Sequence, residues 1–151
     1  MSEEKRRTYT ILLSVLLVLT VCFIWGNSLL NWENSAQLSR GLLDFLKPLL
    51  EFLGLPADDD HWLRKLTHFT EFGALGAELC MLFSLHRPFR PKLIPYSAAV
   101  ALPVAVIDET IQAFSGRFSA ASDVLLDFSG ALTGIAVLYL IIHIVKRRKS
   151  G

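Results

Sequence analysis

The stretch LRKLTHFTEFGALG, residues 63–76, places His68 and Glu71 three positions apart at the head of an apolar run. A second apolar run contains the acidic pair of IDET, residues 107–110. Side chains three positions apart share one face of an α-helix. An ionisable group in hydrocarbon costs at least about 2.5 kcal/mol. Whether these runs cross a membrane therefore decides how the charges must be accommodated.

The composition favours a membrane protein. Of the 151 residues, 52% are hydrophobic and 19% are charged, and the mean hydropathy is +0.45, which is high for a soluble domain of this size. The net charge of +1 gives no indication of a nucleic-acid partner. The two cysteines, Cys22 and Cys80, lie in separate apolar segments without metal-like spacing, and we interpret both as packing residues.

Apolar runs at 8–25, 66–85, 93–114 and 124–145 predict an all-α fold, a bundle of four transmembrane helices. Each is long enough to cross about 30 Å of hydrocarbon, and we expect the second and third to be less hydropathic than the others. The first run could instead be a signal peptide, but it is long and FIWGNSLLNW, residues 23–32, has no typical cleavage site. A retained span is therefore predicted.

Lysine and arginine placement predicts the orientation. Basic residues cluster in the N-terminal segment 1–7, in the link HRPFRPK at 86–92 and in the tail 146–151. These three segments lie on one side of a four-span chain. Both termini are therefore predicted to be cytoplasmic, with a membrane domain over 8–145 and with loops 26–65 and 115–123 outside the cell.

The first outer loop contains its own helical pattern, at about 35–54. Charged residues recur there at three- and four-residue steps between leucines, and Pro48 predicts a kink. This helix is amphipathic. It would lie either on the outer membrane surface or against the bundle, and the pattern does not choose between the two.

Polar residues from three predicted spans converge at one depth. At 1.5 Å per residue, each set lies within roughly 10 Å of the outer boundary. The sets are His68 and Glu71 on the second span, Asp108, Glu109 and Gln112 on the third, and Asp123 and Asp127 on the fourth, with Arg117 in the short outer loop and Lys65 at the rim.

Carboxylates outnumber the cations in this group. A salt-bridge network that only stabilised the bundle would be closer to balance. The excess favours a functional site with a bound cation, with altered carboxyl protonation, or with both. Small residues near these groups permit close helix packing, and Gly130 and Gly134 form a G-x-x-x-G motif that packing alone explains.

Two stretches, KLTHFTEFGALG at 65–76 and DETIQAFSGRFSAASDVLLDFSGALTG at 108–134, resemble the VanZ-like family of membrane proteins. The resemblance covers about residues 60–145. Phe72 stands where the family often has tyrosine and Ser115 where it often has proline, and neither position is ionisable. The resemblance implies a multi-pass protein of the bacterial cytoplasmic membrane, in a group named for teicoplanin resistance. It also implies a distant similarity to enzymes that exchange or cleave phospholipid head groups.

These observations lead to a hypothesis of lipid-phosphate chemistry at an outer-leaflet pocket. In it, His68, oriented by Glu71, is the general base or nucleophile, and Arg117 binds a phosphate oxygen with help from Gln112 and Lys65. Asp108 and Glu109, with Asp127, bind a divalent cation such as Mg²⁺, Mn²⁺ or Ca²⁺. Asp123 positions Arg117 or His68.

Two other functions fit the same pattern. A non-catalytic envelope protein would bind a cell-wall precursor or an antibiotic through Arg117 and the outer helix. A small proton-coupled transporter would use Glu71, Glu78 and Asp127 as a relay.

Overall fold

The computed structural model describes residues 2–29, 32–52, 60–86, 90–116 and 120–150. Within those ranges the chain forms five α-helices and no strand. Their bounds are α1 Glu3–Ser28, α2 Trp32–Phe52, α3 Asp60–His86, α4 Leu93–Phe114 and α5 Ala121–Ser150. The predicted all-helical fold is confirmed over the described residues, and each predicted span lies within a helix.

Helix α3 is the centre of the bundle, because it contacts every other helix. Phe72, Leu75 and Leu79 on α3 are almost completely buried. They pack against Ile24 of α1 and against small residues of α4 and α5. The apolar core therefore lies around one face of α3.

Cross-helix contacts fix the direction of each helix. Along α3, His86, Glu78 and Glu71 meet successively later residues of α1, namely Thr10, Thr20 and Asn27, so α1 and α3 are antiparallel. Lys65 and His68 meet Asp123 and Asp127 in the same order along the chain, so α3 and α5 are parallel. Trp25 and Ser28 meet Val104 and Asp108 in the same order, so α1 and α4 are parallel. The chain therefore reverses direction between α1 and α3, between α3 and α4, and between α4 and α5.

A glycine seam joins α3 to α5, and it consists of Gly73, Gly76, Gly130 and Gly134. A Cβ atom added to Gly76 would overlap the backbone of Ala131, and one added to Gly134 would overlap the backbone of Gly73. Only glycine permits helix backbones to approach this closely. The G-x-x-x-G motif therefore has the packing role that its sequence predicted.

Three helices are long and apolar enough to cross a membrane, namely α1, α4 and residues Ala121–Arg148 of α5. The mean hydropathy of α4 is lower than that of the other two, as predicted. Among the described helices α3 is not in this set, because seven charged or histidine side chains interrupt its sequence up to Glu78. The fourth crossing and the orientation of the termini stay predictions.

Helix α2 packs beside the beginning of α3. Leu43 and Leu50 are buried against Leu63 of α3. On other faces of α2, Phe45 and Phe52 are more than four-fifths exposed. The helix continues through Pro48. These contacts show that α2 packs on the bundle, whereas its predicted position on the membrane surface stays a prediction.

Candidate functional site

One face of α4 is buried along its whole length, and its chemistry changes near the end. Ser97, Ala101 and Ala105 let neighbouring helices approach closely, and the same face continues with Asp108 and Gln112. Asp108 is 0% exposed. The helix that forms part of the apolar core therefore delivers a carboxylate and an amide into the interior at one end of the bundle.

The carboxylate of Asp108 is positioned by two hydrogen bonds. Ser28 Oγ, at the end of α1, donates to Asp108 Oδ1 at 2.6 Å. Gln112 Nε2, one turn along α4, donates to Asp108 Oδ2 at 2.8 Å and approaches Ser28 Oγ at 3.4 Å. Ser28, Asp108 and Gln112 are all buried. Two neutral donors, one from α1 and one from α4, therefore hold this buried carboxylate in position.

His68 of α3 faces two aspartates from two other helices. Its Nδ1 atom lies 3.8 Å from Asp108 Oδ2 and 3.9 Å from Asp127 Oδ1. One ligand atom from each of these three residues lies within 4.8 Å of the other two. The side chain of His68 is 12% exposed, compared with 0% for Asp108 and 3% for Asp127. We call His68, Asp108 and Asp127 the histidine–aspartate cluster, and His68 is its most accessible member.

Glu109 is buried but serves a different contact. Its Oε1 accepts a hydrogen bond from the backbone N–H of Ala120 at 2.7 Å, which joins the end of α4 to the beginning of α5. Gly116, in the turn between them, has φ +73°, a left-handed conformation that favours glycine. The other carboxylate oxygen of Glu109 has no hydrogen-bond partner among the residues that the structure describes.

Three further predicted site residues, Glu71, Lys65 and Asp123, have partners outside the cluster. Asn27 Nδ2 donates to Glu71 Oε1 at 3.1 Å. Lys65 Nζ lies 3.4 Å from Asp123 Oδ1, in a partly exposed ion pair. Lys65 therefore shares its charge with a protein carboxylate at the rim, and Asp123 has a partner other than the predicted Arg117 or His68. Arg117 itself lies outside the described residues.

Sequence reasoning missed the contribution of α1. Asn27 and Ser28 follow the apolar run 8–25 after one glycine, and short polar residues are typical of a helix end. The structure extends α1 to Ser28 and places both side chains against carboxylates of α3 and α4. The signal that could have found them is their depth, because α1 ends at the level where the other spans place their acidic residues.

A family model described as VanZ/LLP1 matches residues 13–143 of the chain. The chain belongs to the VanZ/LLP1 family. The family suggested by the two sequence stretches is thereby confirmed. The matched region contains the whole histidine–aspartate cluster together with Ser28 and Gln112.

Family membership and the three apolar helices together identify a membrane protein. No curated protein and no solved structure matches the chain. What this VanZ/LLP1 protein does must therefore be argued from its own side chains.

Proposed function

We propose that this VanZ/LLP1 protein acts on phosphate-containing lipids or lipid-linked envelope precursors, by head-group transfer or hydrolysis. The observation that supports the proposal most strongly is the histidine–aspartate cluster, in which three helices bring ionisable side chains to one buried point. Burying a carboxylate costs free energy unless it is paired with a cation or satisfied by hydrogen bonds, so an uncompensated cost points to a functional role. A lipid substrate would explain this cost, because its phosphate can be reached only by groups that lie at the membrane.

The location of the cluster suits a substrate with a polar head and apolar chains. The cluster lies at the end of the bundle where α1 and α4 finish and where α3 and α5 begin. Apolar side chains on α1, α4 and α5 are exposed along the rest of these helices. A lipid could therefore place its head group at the cluster while its acyl chains stay in hydrocarbon, next to the exposed faces.

The proposed reaction is substitution at phosphorus. The oxygen of water, or of an acceptor alcohol, forms a bond to the lipid phosphorus, and the bond from phosphorus to the leaving oxygen breaks. The proton of the attacking group passes to a base at the cluster, and the leaving oxygen takes up a proton. Water as the attacking group gives hydrolysis, and an alcohol gives head-group exchange.

The contacts support roles for His68, Ser28 and Gln112. His68 is the cluster member that a substrate can reach from outside, as its exposure indicates. Ser28 and Gln112 orient Asp108. Arg117 remains the proposed phosphate ligand on the basis of the sequence, because guanidinium geometry matches two phosphate oxygens. A link to teicoplanin susceptibility would be a consequence of altered envelope lipids or precursors.

The transporter alternative has less support from the contacts. Glu71 and Glu78 both lie on the α1–α3 interface, where they accept hydrogen bonds from Asn27 and Thr20. Seven residues of α-helix separate them by about 10 Å, which is too far for direct proton transfer. The binding-protein alternative predicts that the protein retains lipid without turning it over.

The test is turnover by the purified protein in liposomes that contain labelled phospholipids or a labelled lipid pyrophosphate. We expect His68→Ala and Arg117→Ala to lower turnover at least 100-fold, while Asp123→Asn stays within a few-fold of wild type. Each variant is first checked for a native far-UV circular dichroism spectrum and a monodisperse elution profile. Folded His68→Ala and Arg117→Ala proteins with wild-type turnover would refute the assigned roles. Lipid retention by wild type without turnover would favour the binding alternative.

A further inference from the structure

The spacing inside the histidine–aspartate cluster distinguishes two roles for His68. The distances of 3.8 and 3.9 Å from Nδ1 to the two carboxylate oxygens are nearly equal. Both exceed the 2.7–3.2 Å, approximately, of an N–H···O hydrogen bond. A histidine that one aspartate orients as a base would be expected to approach that aspartate more closely. His68 Nδ1 therefore faces both carboxylates at distances longer than a hydrogen bond.

The spacing of the three ligand atoms is comparable to that of a metal site. Ligand atoms bound at about 2.1 Å in a tetrahedral shell lie about 3.4 Å from one another. The distances from His68 Nδ1 to the two carboxylates, 3.8 and 3.9 Å, exceed that spacing by about 0.5 Å. All three atoms lie within 4.8 Å of one another, so side-chain shifts of roughly 0.5 to 1.4 Å would bring them to bonding distance. The three ligands come from α3, α4 and α5, so the helix bundle preforms the site.

Hydrogen bonds from two neighbouring residues orient the Asp108 carboxylate as a metal ligand would need to be oriented. Ser28 donates to Asp108 Oδ1, which leaves Oδ2 directed towards His68. Gln112 donates to the same Oδ2 atom and limits its rotation. Hydrogen bonds of this kind orient metal-binding carboxylates in many proteins. Ser28 and Gln112 are both buried and come from two different helices.

The charge and donor types select the class of ion. When both carboxyl groups are ionised, a divalent cation would neutralise their two negative charges. The nearby Lys65 ammonium is already paired with Asp123 at the rim. One imidazole nitrogen with two carboxylate oxygens suits Mn²⁺ or Zn²⁺ better than Ca²⁺, which prefers oxygen ligands alone.

We propose that His68, Asp108 and Asp127 bind one Mn²⁺ or Zn²⁺ ion, which leaves at least one coordination position open towards the exposed edge of His68. The open position would take water or a phosphate oxygen of the substrate. This ligand set differs from the one predicted from the sequence, because His68 replaces Glu109. Glu109 instead accepts the hydrogen bond from Ala120.

The catalytic role of this metal ion rests on the proposed function, since both concern the histidine–aspartate cluster. A metal ion there would polarise the phosphoryl oxygen and lower the pKa of bound water. His68 would then act as a ligand, and the metal-bound water would supply the nucleophile for hydrolysis.

The experiment measures metal content, not turnover. Untagged full-length protein in detergent is soaked in Mn²⁺ or, separately, in Zn²⁺, desalted, and analysed by mass spectrometry for metal per chain. We expect about one ion per wild-type chain with one of the two metals. Asp127→Asn and His68→Ala should lower the affinity at least 100-fold, and Ser28→Ala about 10-fold. Asp123→Asn, one turn away on the same helix and paired with Lys65, should bind as wild type does.

The outcomes separate this inference from the proposed function. Wild-type protein that takes up neither metal, or Asp127→Asn protein that binds as well as Asp123→Asn, would overturn the metal site. Because Asp127→Asn could impair folding, a thermal-shift titration of wild type provides a second reading, and a flat response to both metals would also overturn it. Metal binding without lipid turnover would leave the site and refute the function. Lipid turnover that a chelator does not change would support the proposed function and refute the metal site.

Discussion

The two interfaces of α3 are built in opposite ways. Towards α5, the glycine seam brings backbone against backbone, with no space for a Cβ atom at Gly76, Gly130 or Gly134. Towards α1, polar side chains bridge the gap, with a hydrogen bond from Thr20 to Glu78 and another from Asn27 to Glu71. One interface depends on shape and the other on hydrogen bonding.

The difference assigns a task to each interface. The glycine seam sets the register of α3 and α5, and that register brings His68 and Asp127 together two turns from Gly76 and one turn from Gly130. Helix α1 contributes donors, and its last residue, Ser28, orients the Asp108 carboxylate. We therefore expect substitutions in the seam to affect the whole fold and substitutions on α1 to affect mainly the site.

The largest expected effect is that of Gly134→Ala. The added Cβ would overlap the backbone of Gly73, which cannot move without displacing α3. Overpacking of this kind costs up to about 3 kcal/mol, so the free energy of unfolding in mixed detergent micelles should fall by about that amount. Gly26→Ala is the matched control, because nothing lies within 4 Å of its added Cβ. Equal stability of the two variants would show that the seam is not tightly packed.

Ser28→Ala should have an intermediate effect on stability. It removes the 2.6 Å hydrogen bond to Asp108 and leaves a buried carboxylate oxygen with one donor fewer, at a cost of about 1–3 kcal/mol. Ser97→Ala is the control, since Ser97 is equally buried but donates to the carbonyl of Leu93 in its own helix. The two unfolding curves should separate, with Ser28→Ala the less stable. Superimposable curves would mean that α1 does not support the site.

The smallest effect is expected for Thr20→Val, which removes the hydrogen bond to Glu78 and keeps the side-chain shape. Hydrogen bonds between membrane helices contribute about 0.6 kcal/mol on average, and the loss should be of that size. Thr133→Val serves as control, because the Thr133 hydroxyl bonds to the carbonyl of Ser129 on its own helix. A loss several times larger for Thr20→Val would indicate that the polar interface carries more of the fold than this comparison implies.

Much of the site could be predicted from the sequence because helix geometry is regular. The rise per residue placed His68, Asp108 and Asp127 at one depth, and the structure brings these three together. Adjacent residues on a helix point about 100° apart, however, so Asp108 and Glu109 face different neighbours. Only the three-dimensional packing shows that Asp108 faces His68 and that Glu109 faces Ala120.

Other features depend on contacts that no sequence pattern specifies. The pairing of Lys65 with Asp123 follows from the register of α3 and α5, which the backbone approach at the seam determines. The role of Ser28 requires that α1 continue beyond its apolar run and end beside α4. Burial also explains why α3 differs from the other long helices, because a helix that contacts all four neighbours can carry polar groups on interior faces.

The central claim is that the histidine–aspartate cluster is the part of the protein that transforms lipid phosphate. The most direct measurement compares Asp127→Asn with Asp123→Asn in liposomes that contain labelled lipid, because each change replaces one carboxyl group with an amide in the first turns of α5. Turnover should fall at least 100-fold for Asp127→Asn and stay within a few-fold of wild type for Asp123→Asn. Equal turnover by the two folded variants would contradict the account.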